Sequence, residues 1–347
     1  MNKITIKDIA AEAGVSIATV SNVMNGTGRV SGETAKRVLQ VIDRHDYAPS
    51  TAARFLKERR SQLIGILVPT GDRGRLEDNP FYWQLVMAVE AEAREERLHV
   101  IVSGVTEEDP LTFVQERQLD GIIAIGITGD SPLLGRIAQL DVPCVYLDCY
   151  LTEGENLQVV NMNDRMGGYL GTKHLLSLGH ERIAVIAGDI VTAGVYEERW
   201  LGYARALEEN GIEADRALLV ETPVSLLGGY HSAQQVYMLS PKVSAVFAFS
   251  DVAAIGLMKG LQELCVRIPD DISVMGYDDI DYAGFLTPSL TTIRQDIGTK
   301  GKTAIRRILS MIRGSVPAEH SVVLPVELKR RQSTARRHQP NSIQKEE

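Results

Sequence analysis

Residues 4–25 read ITIKDIAAEAGVSIATVSNVMN, and the spacing inside this stretch decides what kind of chain this is. Thr5 with Asp8 three residues on is the start of a helix with a capping-box-like arrangement. Ile6, Ile9, Ala10 and Ala13 then recur at helical spacing. Gly14 stands where a chain leaving a helix takes positive φ, which glycine adopts at little cost. Ser16 caps a second helix, whose Val20 and Val23 can pack back on the first. Ser16, Ile17, Ala18, Thr19, Ser21 and Asn22 remain on the outer face, all small or neutral where a solvated helix would carry Lys and Glu. A helix with such a face can lie closely against another surface, and a DNA major groove just admits one.

Outward from this hairpin, Gly26-Thr27-Gly28 reads as a turn, and Ser31 caps a third helix that runs to about His45. Val38, Leu39, Val41 and Ile42 are spaced to close a three-helix core over Ile9, Val20 and Val23. The expected headpiece is residues 1–49, and a unit this small is only modestly stable alone. Residues 50–57, STAARFLK, begin with a capping serine and continue in helix-forming alanines. Eight residues are too few for a stable isolated helix, so this segment should order only when paired, within a linker of residues 50–60.

The first hairpin resembles the helix-turn-helix of the LacI/GalR family of bacterial transcription regulators. It matches the pattern T-x-x-D-(I/V)-A-x-x-A-G-V-S-x-x-T-V-S from Thr5 to Ser21 at nearly every position. The resemblance implies that Thr5, Ser16, Ile17, Ala18, Thr19 and Asn22 face double-stranded operator DNA, with Arg29, Arg54 and Lys57 as phosphate contacts. It also implies that residues 50–57 are a hinge helix pairing with its twin in a homodimer. Ala53 and Leu56 then enter the minor groove, Leu56 as the wedge at the central base step, where unstacking is offset by contacts on the bent duplex. Many family members have Arg at the position of Asn22. Asn pairs with adenine rather than guanine, so a shifted base preference is expected.

At 347 residues the chain is too long for one ordinary core. A hydrophobic content of 44% with 24% charged residues is that of a globular protein, and no apolar run approaches the ~20 residues that cross a bilayer. Lys3 and Lys7 interrupt the N-terminal apolar residues, so no signal peptide is expected. Cys144, Cys149 and Cys265 have no metal-ligand spacing, which fits reduced thiols, a cytoplasmic location, and no metal or other cofactor. The net charge of −8 speaks against nucleic acid until it is divided: residues 1–60 carry ten Lys/Arg against six Asp/Glu, +4, leaving −12 for the rest. A basic head on an acidic body docks head-first on phosphate.

Beyond residue 62 the texture changes. Short apolar runs at 63–68, 100–103, 121–125, 144–147, 183–187, 243–249 and 272–277 alternate with amphipathic stretches at 83–97, 133–140, 165–178, 199–210, 253–264 and 300–312. Such alternation predicts parallel sheets covered on both faces, with enough units for two subdomains. Asn79-Pro-Phe-Tyr82, Leu119-Asp-Gly-Ile-Ile123, His174 to His180, Arg199-Trp-Leu-Gly-Tyr203, Ile272 to Asp278 and Pro288 to Ile293 resemble the family's effector domain, itself similar to type I periplasmic sugar-binding proteins. The fold class is therefore an all-α helix-turn-helix headpiece plus an α/β domain of two parallel-sheet subdomains over 61–335. The chain should cross between them near 160–163, 290–294 and 323–325, giving subdomains of 61–161 with 292–324 and 162–291 with 325–335. Residues 336–347 read as a disordered tail without the leucine heptads that tetramerise some members. Between Gly104 and Asp120 the chain is shorter than usual, so the second helix should be shortened.

A cleft between two parallel-sheet subdomains is the expected ligand site. Residue-by-residue matching implies that Phe81 and Tyr82 stack on a ring, with Asp148, Arg199, Ser250, Asp251 and Asp278 as polar contacts. Carboxylate acceptors with a forked donor suit a polyol. Ala193, Val195, Val224 and Leu226 stand where purine-binding members place basic and aromatic groups, which tilts the effector towards a carbohydrate. A sugar-binding transport protein and a nucleobase-responsive regulator are the alternatives. An enzyme is disfavoured: His174 and His180 have no ligand-spaced partner, Gly167 to Gly171 lacks both the Rossmann spacing and a Walker lysine, and no G-x-S-x-G occurs.

Overall fold

The computed structural model describes residues 4–45, 47, 60–70, 79–150, 157–190, 194–240 and 243–337. The chain divides into two compact units, Met1–Ser61 and Gln62–Glu347.

The first unit contains α1 (Ile6–Ala13), α2 (Ile17–Asn25) and α3 (Gly32–Arg44). The Asp8 carboxylate accepts from the Thr5 backbone N–H at 2.8 Å and from its hydroxyl at 2.7 Å, fixing the start of α1. Gly14 and Gly26 end α1 and α2 at φ 63° and 64°, the left-handed conformation expected of helix-terminating glycines. Ser16 and Ser31 each accept a backbone N–H three residues on, from Thr19 and Thr34. Ile9, Ala10, Ala13, Val20, Val38 and Val41 form the buried core. Leu39, expected among them, is 48% exposed, because Val38, Val41 and Ile42 occupy the inner stripe of α3. Glu12 accepts from Arg44 at 2.8 Å and pairs with His45, tying α1 to the end of α3.

The second unit holds two six-stranded sheets. In the first, β1 (Leu63–Pro69), β2 (His99–Val105), β3 (Gly121–Ile125), β4 (Cys144–Leu147), β5 (Gln158–Met162) and β11 (Ser321–Leu324) lie in the order β11-β5-β4-β3-β1-β2, all parallel. The helices α4 (Pro80–Glu95) and α11 (Ile297–Ile312) cover one face, around Ile64, Leu85, Ile123, Ile305 and Ile308. The single turn α5 (Phe113–Glu116) and α6 (Pro132–Ala138) cover the other; α5 is the shortened second helix. In the second sheet, β6 (Ile183–Ala187), β7 (Leu219–Glu221), β8 (Ala245–Ala248), β9 (Ser273–Asp278), β10 (Thr291–Gln295) and β12 (Val326–Lys329) run β12-β10-β9-β8-β6-β7, with only β12 antiparallel to its neighbour. α7 (Asp164–Ser177) and α8 (Val195–Glu208) lie on one face, α9 (Leu226–Leu239) and α10 (Asp251–Glu263) on the other.

The chain passes from sheet to sheet at Asn163, at Asp296 and at Pro325. The second passage falls after the expected 290–294, because β10 pairs with β9 from Thr291 through Arg294 and so belongs to the second sheet. The α9 helix is absent from the sequence reading. Of the stretch read as a disordered tail, Arg337 donates its backbone N–H to the Leu178 carbonyl at 2.9 Å, and residues 338–347 lie outside the described residues. His174 and His180 serve this C-terminal segment: His174 Nε2 meets Thr334, and His180 bridges Ser244 and the Ala335 carbonyl. Burial holds both imidazoles below their ordinary range, His174 at about 4.

In both sheets the strand order reverses beside the first strand, between β1 and β3 and between β6 and β8. Ligands of open α/β sheets bind at such switch points, outside the strands' carboxyl ends.

Candidate functional sites

In the first unit, the outer face of α2 presents Ile17 (44% exposed) and an exposed Ala18. Ser16 and Thr19 hold their hydroxyls 2.9 Å apart, so their polar groups are already mutually oriented. Thr5 and Arg29 are exposed. Asn22 is half-buried, and its amide lies against the turn: a Cβ at Gly28, where φ is 85°, would fall 2.9 Å from Asn22 Nδ2. A side chain at Gly28 would push that amide aside. Ala53, Arg54, Leu56 and Lys57, with the expected hinge helix, lie outside the described residues.

In the second unit, a cavity of about 780 Å³ opens at the carboxyl ends of both sheets. Asn79 Oδ1 accepts from the Phe81 N–H at 3.0 Å and Pro80 opens α4, which sets Phe81 and Tyr82 in the first helical turn after β1. Their rings meet edge to face, 5.7 Å apart, and both line the cavity. Asp148 follows β4 at φ 57°, and Asp278 ends β9 at φ 121°. Both lining carboxylates thus sit on left-handed backbone, a kind of local strain that gathers at functional sites.

Arg199 is 5% exposed and lies flat on Tyr277, its guanidinium carbon 3.6 Å from the ring centroid. Its Nε donates to Asp164 at 2.8 Å, a second nitrogen donates to the Phe249 carbonyl, and the third stands 3.8 Å from Asp278. The approach of α7 to α8 makes this possible. A Cβ at Gly168 would lie 2.0 Å from the Arg199 carbonyl oxygen, and one at Gly202 would lie 1.9 Å from that of Arg165.

Burial pushes the Asp278 carboxyl up to about 6, opposed by Arg199 and the Gln295 hydrogen bond. Asp148 is also raised by burial and pulled back by Lys300. Lys300, on α11, is fully buried, with its ammonium 2.5 Å from Asp148 and 3.3 Å from Gln295 Oε1. Gln295 in turn donates to Asp278 at 2.7 Å. At the far end the Tyr150 hydroxyl lies 2.6 Å from Asp164. A continuous polar chain therefore runs Asp148, Lys300, Gln295, Asp278, Arg199, Asp164, Tyr150, passing twice between the subdomains.

Phe81, Tyr82, Asp148, Arg199, Ser250 and Asp278 come together around the cavity as lining residues. Asp251 does not line it. Its side chain is completely buried, accepting from Thr292 Oγ1 at 2.6 Å and from the Ile280 N–H at 3.0 Å, and so it ties α10 to β10 and the segment after β9. Residue type and position after a strand do not distinguish such a structural acid from a ligand contact. Tyr196, which stands beside Arg199 and lines the cavity, corrects the expectation that no ring flanks this arginine. Leu226 lies instead on an exposed groove, and Ala193 is outside the described residues. Lys300, Gln295, Asp164 and the lining acids Glu107, Asp189 and Glu221 also escaped the sequence reading. Among the described residues the lining contains no histidine or cysteine, and its donors and acceptors can hydrogen-bond hydroxyl groups.

Residues 5–50 match the family model described as bacterial regulatory proteins, lacI family, and residues 172–334 match a periplasmic binding protein-like domain. The chain is 35% identical to the HTH-type transcriptional regulator DegA of Bacillus subtilis, over 96% of this chain and 98% of that protein. It is 34% identical to the ribose operon repressor of Haemophilus influenzae, over 92% and 95%. Among solved structures it resembles the lac repressor dimer bound to operator and the anti-inducer ONPF, with a TM-score of 0.84 and 28% identity over 96% of this chain and all of that one.

Proposed function

The chain belongs to the lacI family of bacterial regulatory proteins, and we propose on that premise that it is a cytoplasmic, homodimeric repressor of carbohydrate-utilisation genes, released from or held on its operator by a sugar-like effector. It is a DNA-binding transcription regulator with a helix-turn-helix headpiece and an effector-binding domain. In this reading Thr5, Ser16, Ile17, Ala18, Thr19 and Asn22 approach the major groove, Arg29, Arg54 and Lys57 contact phosphates, and Ala53 and Leu56 enter the minor groove of a pseudo-palindromic site.

One observation carries the effector assignment. Asp148 from the first subdomain and Asp278 with Arg199 from the second line the same cavity, beside the rings of Phe81, Tyr82 and Tyr196. Acceptors, a forked donor and flat apolar surfaces are what a pyranose or furanose ring requires. Homodimerisation is supported by an apolar groove along α9 and α10, where Leu226, Leu227, Tyr230 and Phe285 stand exposed, Phe285 at 89%. Closure of the cleft would favour one spacing of the two hinge segments over the other.

A thermal-shift screen of the full-length protein against sugars, sugar phosphates and nucleobases, followed by operator mobility shift with each hit, tests this. A sugar should stabilise the protein and change operator affinity, and both effects should vanish in Arg199→Ala. A hit whose effect survives that substitution would place the effector elsewhere.

A further inference from the structure

Asp278 and Asp279 are consecutive residues at φ 121° and 59°, in the half of conformational space that favours glycine. Rotation about the N–Cα bond carries Cβ with it, so φ of Asp278 sets the direction of its carboxylate relative to β9. Strained backbone of this kind persists only where the surroundings over-determine it. Gln295 holds one oxygen of the Asp278 carboxylate at 2.7 Å, and the group can still swing about that single bond. The backbone has to be fixed through the residues that follow it.

Two side chains do this. Asp251 accepts the Ile280 N–H at 3.0 Å and the Thr292 hydroxyl at 2.6 Å. It is wedged against β9, where a Cβ at Gly276 would fall 2.1 Å from its Oδ1. Arg331, just beyond β12, takes the residue between: Nη2 donates to Asp279 Oδ1 at 2.6 Å while Nη1 donates to the Leu290 carbonyl at 2.8 Å. Arg294 also faces Asp279, but its Nε stands 4.0 Å from the other oxygen and its side chain is more exposed than that of Arg331.

The guanidinium of Arg331 is itself aimed. The Arg331 backbone N–H donates to Thr291 Oγ1 at 2.9 Å, and Gln332 and Ser333 donate theirs to the Ser289 carbonyl at 3.0 and 2.9 Å. Ser333 is completely buried, its hydroxyl donating to the Val274 carbonyl at 2.6 Å and accepting the Thr291 N–H at 2.8 Å. The C-terminal segment is therefore fastened to β9 and β10 on both sides of the turn that follows Asp278. Lysine carries the same charge as arginine but lacks the planar fork that spans a carbonyl and a carboxylate in fixed directions.

Resting on the effector reading above, we propose that Arg331 is a positioning residue of the effector site: by holding Asp279 it fixes the left-handed pair and keeps the Asp278 carboxylate turned into the cavity. The C-terminal segment is then part of the sensor, although neither Arg331 nor Asp251 lines the cavity.

The test makes two measurements on the full-length protein. Amide exchange read by mass spectrometry follows residues 278–285, and calorimetric titration uses D-ribose, D-glucose, D-galactose and cellobiose as probes. In Arg331→Met, exchange of 278–285 should rise about tenfold while that of β6 stays unchanged, and affinity for the probe that binds should fall about tenfold. Arg331→Lys should recover only part of either effect. Asp279→Asn should reproduce both, and the double variant should add nothing, whereas two independent destabilisations would add. Burial raises Asp278 to about 6, so probe binding by the wild type should weaken as pH falls through that value; Arg331→Met should flatten the profile, which a merely structural arginine would not do. Where Arg331→Met does not fold, Asp279→Asn carries the same test. Unchanged exchange at 278–285, or unchanged probe affinity where Asp278→Asn abolishes binding, overturns the inference. Failure of the effector reading looks different: a probe binds equally well to Asp278→Asn, or no probe binds the wild type, and the exchange result alone then decides whether Arg331 holds the turn.

Discussion

Replacing Lys300 by Met removes a single buried cation and keeps the length of its apolar stem. The ammonium lies 2.5 Å from Asp148 Oδ1 and is completely shielded from solvent, while the Asp148 side chain is 9% exposed. Its loss leaves a largely desolvated carboxylate without its counter-charge. Breaking a buried pair from one side costs about 3–5 kcal/mol, mostly the penalty on the ion left behind. Methionine fills the space of the stem with little packing loss, so the electrostatic penalty dominates. At about 2–4 °C per kcal/mol for a large domain, the melting temperature should fall by roughly 10 °C.

The partner substitution identifies the cause. In Lys300→Met/Asp148→Asn no charge is stranded, and at least about 2 kcal/mol should return as coupling energy in urea denaturation of the full-length protein. The pH dependence has a definite sign. Burial already raises Asp148 above the usual carboxylate range and Lys300 opposes it, so Lys300→Met raises it further. An acid whose pKa is higher folded than unfolded binds more protons in the native state. Its stability contribution is therefore greatest below the unfolded value near 3.8 and is lost as pH rises through the folded value. The deficit of Lys300→Met should accordingly narrow as pH is lowered from 7 towards 4. A deficit below about 1 kcal/mol, or no recovery from Asp148→Asn, would show that Lys300 does not hold Asp148.

Gly202→Ala puts a methyl 1.9 Å from the Arg165 carbonyl oxygen, forcing α7 from α8. A loss of about 3 kcal/mol or more by thermal denaturation is expected, and an unchanged melt would refute the close approach. Phe285→Asp puts a charge on the apolar groove and should convert a dimer to monomers in sedimentation velocity; an unaltered dimer would place the interface elsewhere. Asp278 is raised to about 6, so effector affinity should fall as pH drops below 6 and its acceptor is protonated. Asp278→Asn should weaken binding and remove that dependence, and a pH profile shared by both proteins would exclude Asp278 as its source. Leu56→Ala should weaken operator binding more than binding to unrelated DNA; an equal loss on both would mean that no wedge exists.

The headpiece was legible because its signals are local. Thr5, Gly14, Ser16, Gly26 and Ser31 each perform a capping role that depends on residues at most four positions away. The buried strands were legible for the same reason, as continuous apolar runs. The helix α9 was not, because Gly228 and Gly229 argue locally against a helix. Their purpose is tertiary: a Cβ at Gly229 would lie 2.1 Å from the Ala253 carbonyl oxygen, so the glycines permit α9 to lie against α10. Asp251 and Asp278 illustrate the limit at the site. Both are buried acids beside strand ends, and only the direction in which each finds partners separates a staple from a lining residue. Lys300 carried no signal, since a lysine near a helix start is read as solvated until its burial is known.

The polar chain through Lys300 also bears on how occupancy can be felt across the hinge. A ligand moves a conformational equilibrium only by its differential affinity for the two states. Two contacts join the subdomains here: Lys300 to Gln295 at 3.3 Å, and Tyr150 to Asp164 at 2.6 Å. Gln295 and Lys300 hold the same Asp278 and Asp148 carboxylates that line the cavity. A hydroxyl group that takes a lone pair of either carboxylate competes directly with the Gln295 and Lys300 contacts that hold it. In the proposed reading, ligand binding and subdomain orientation draw on the same few hydrogen bonds, and no longer relay through the sheets is needed to couple them.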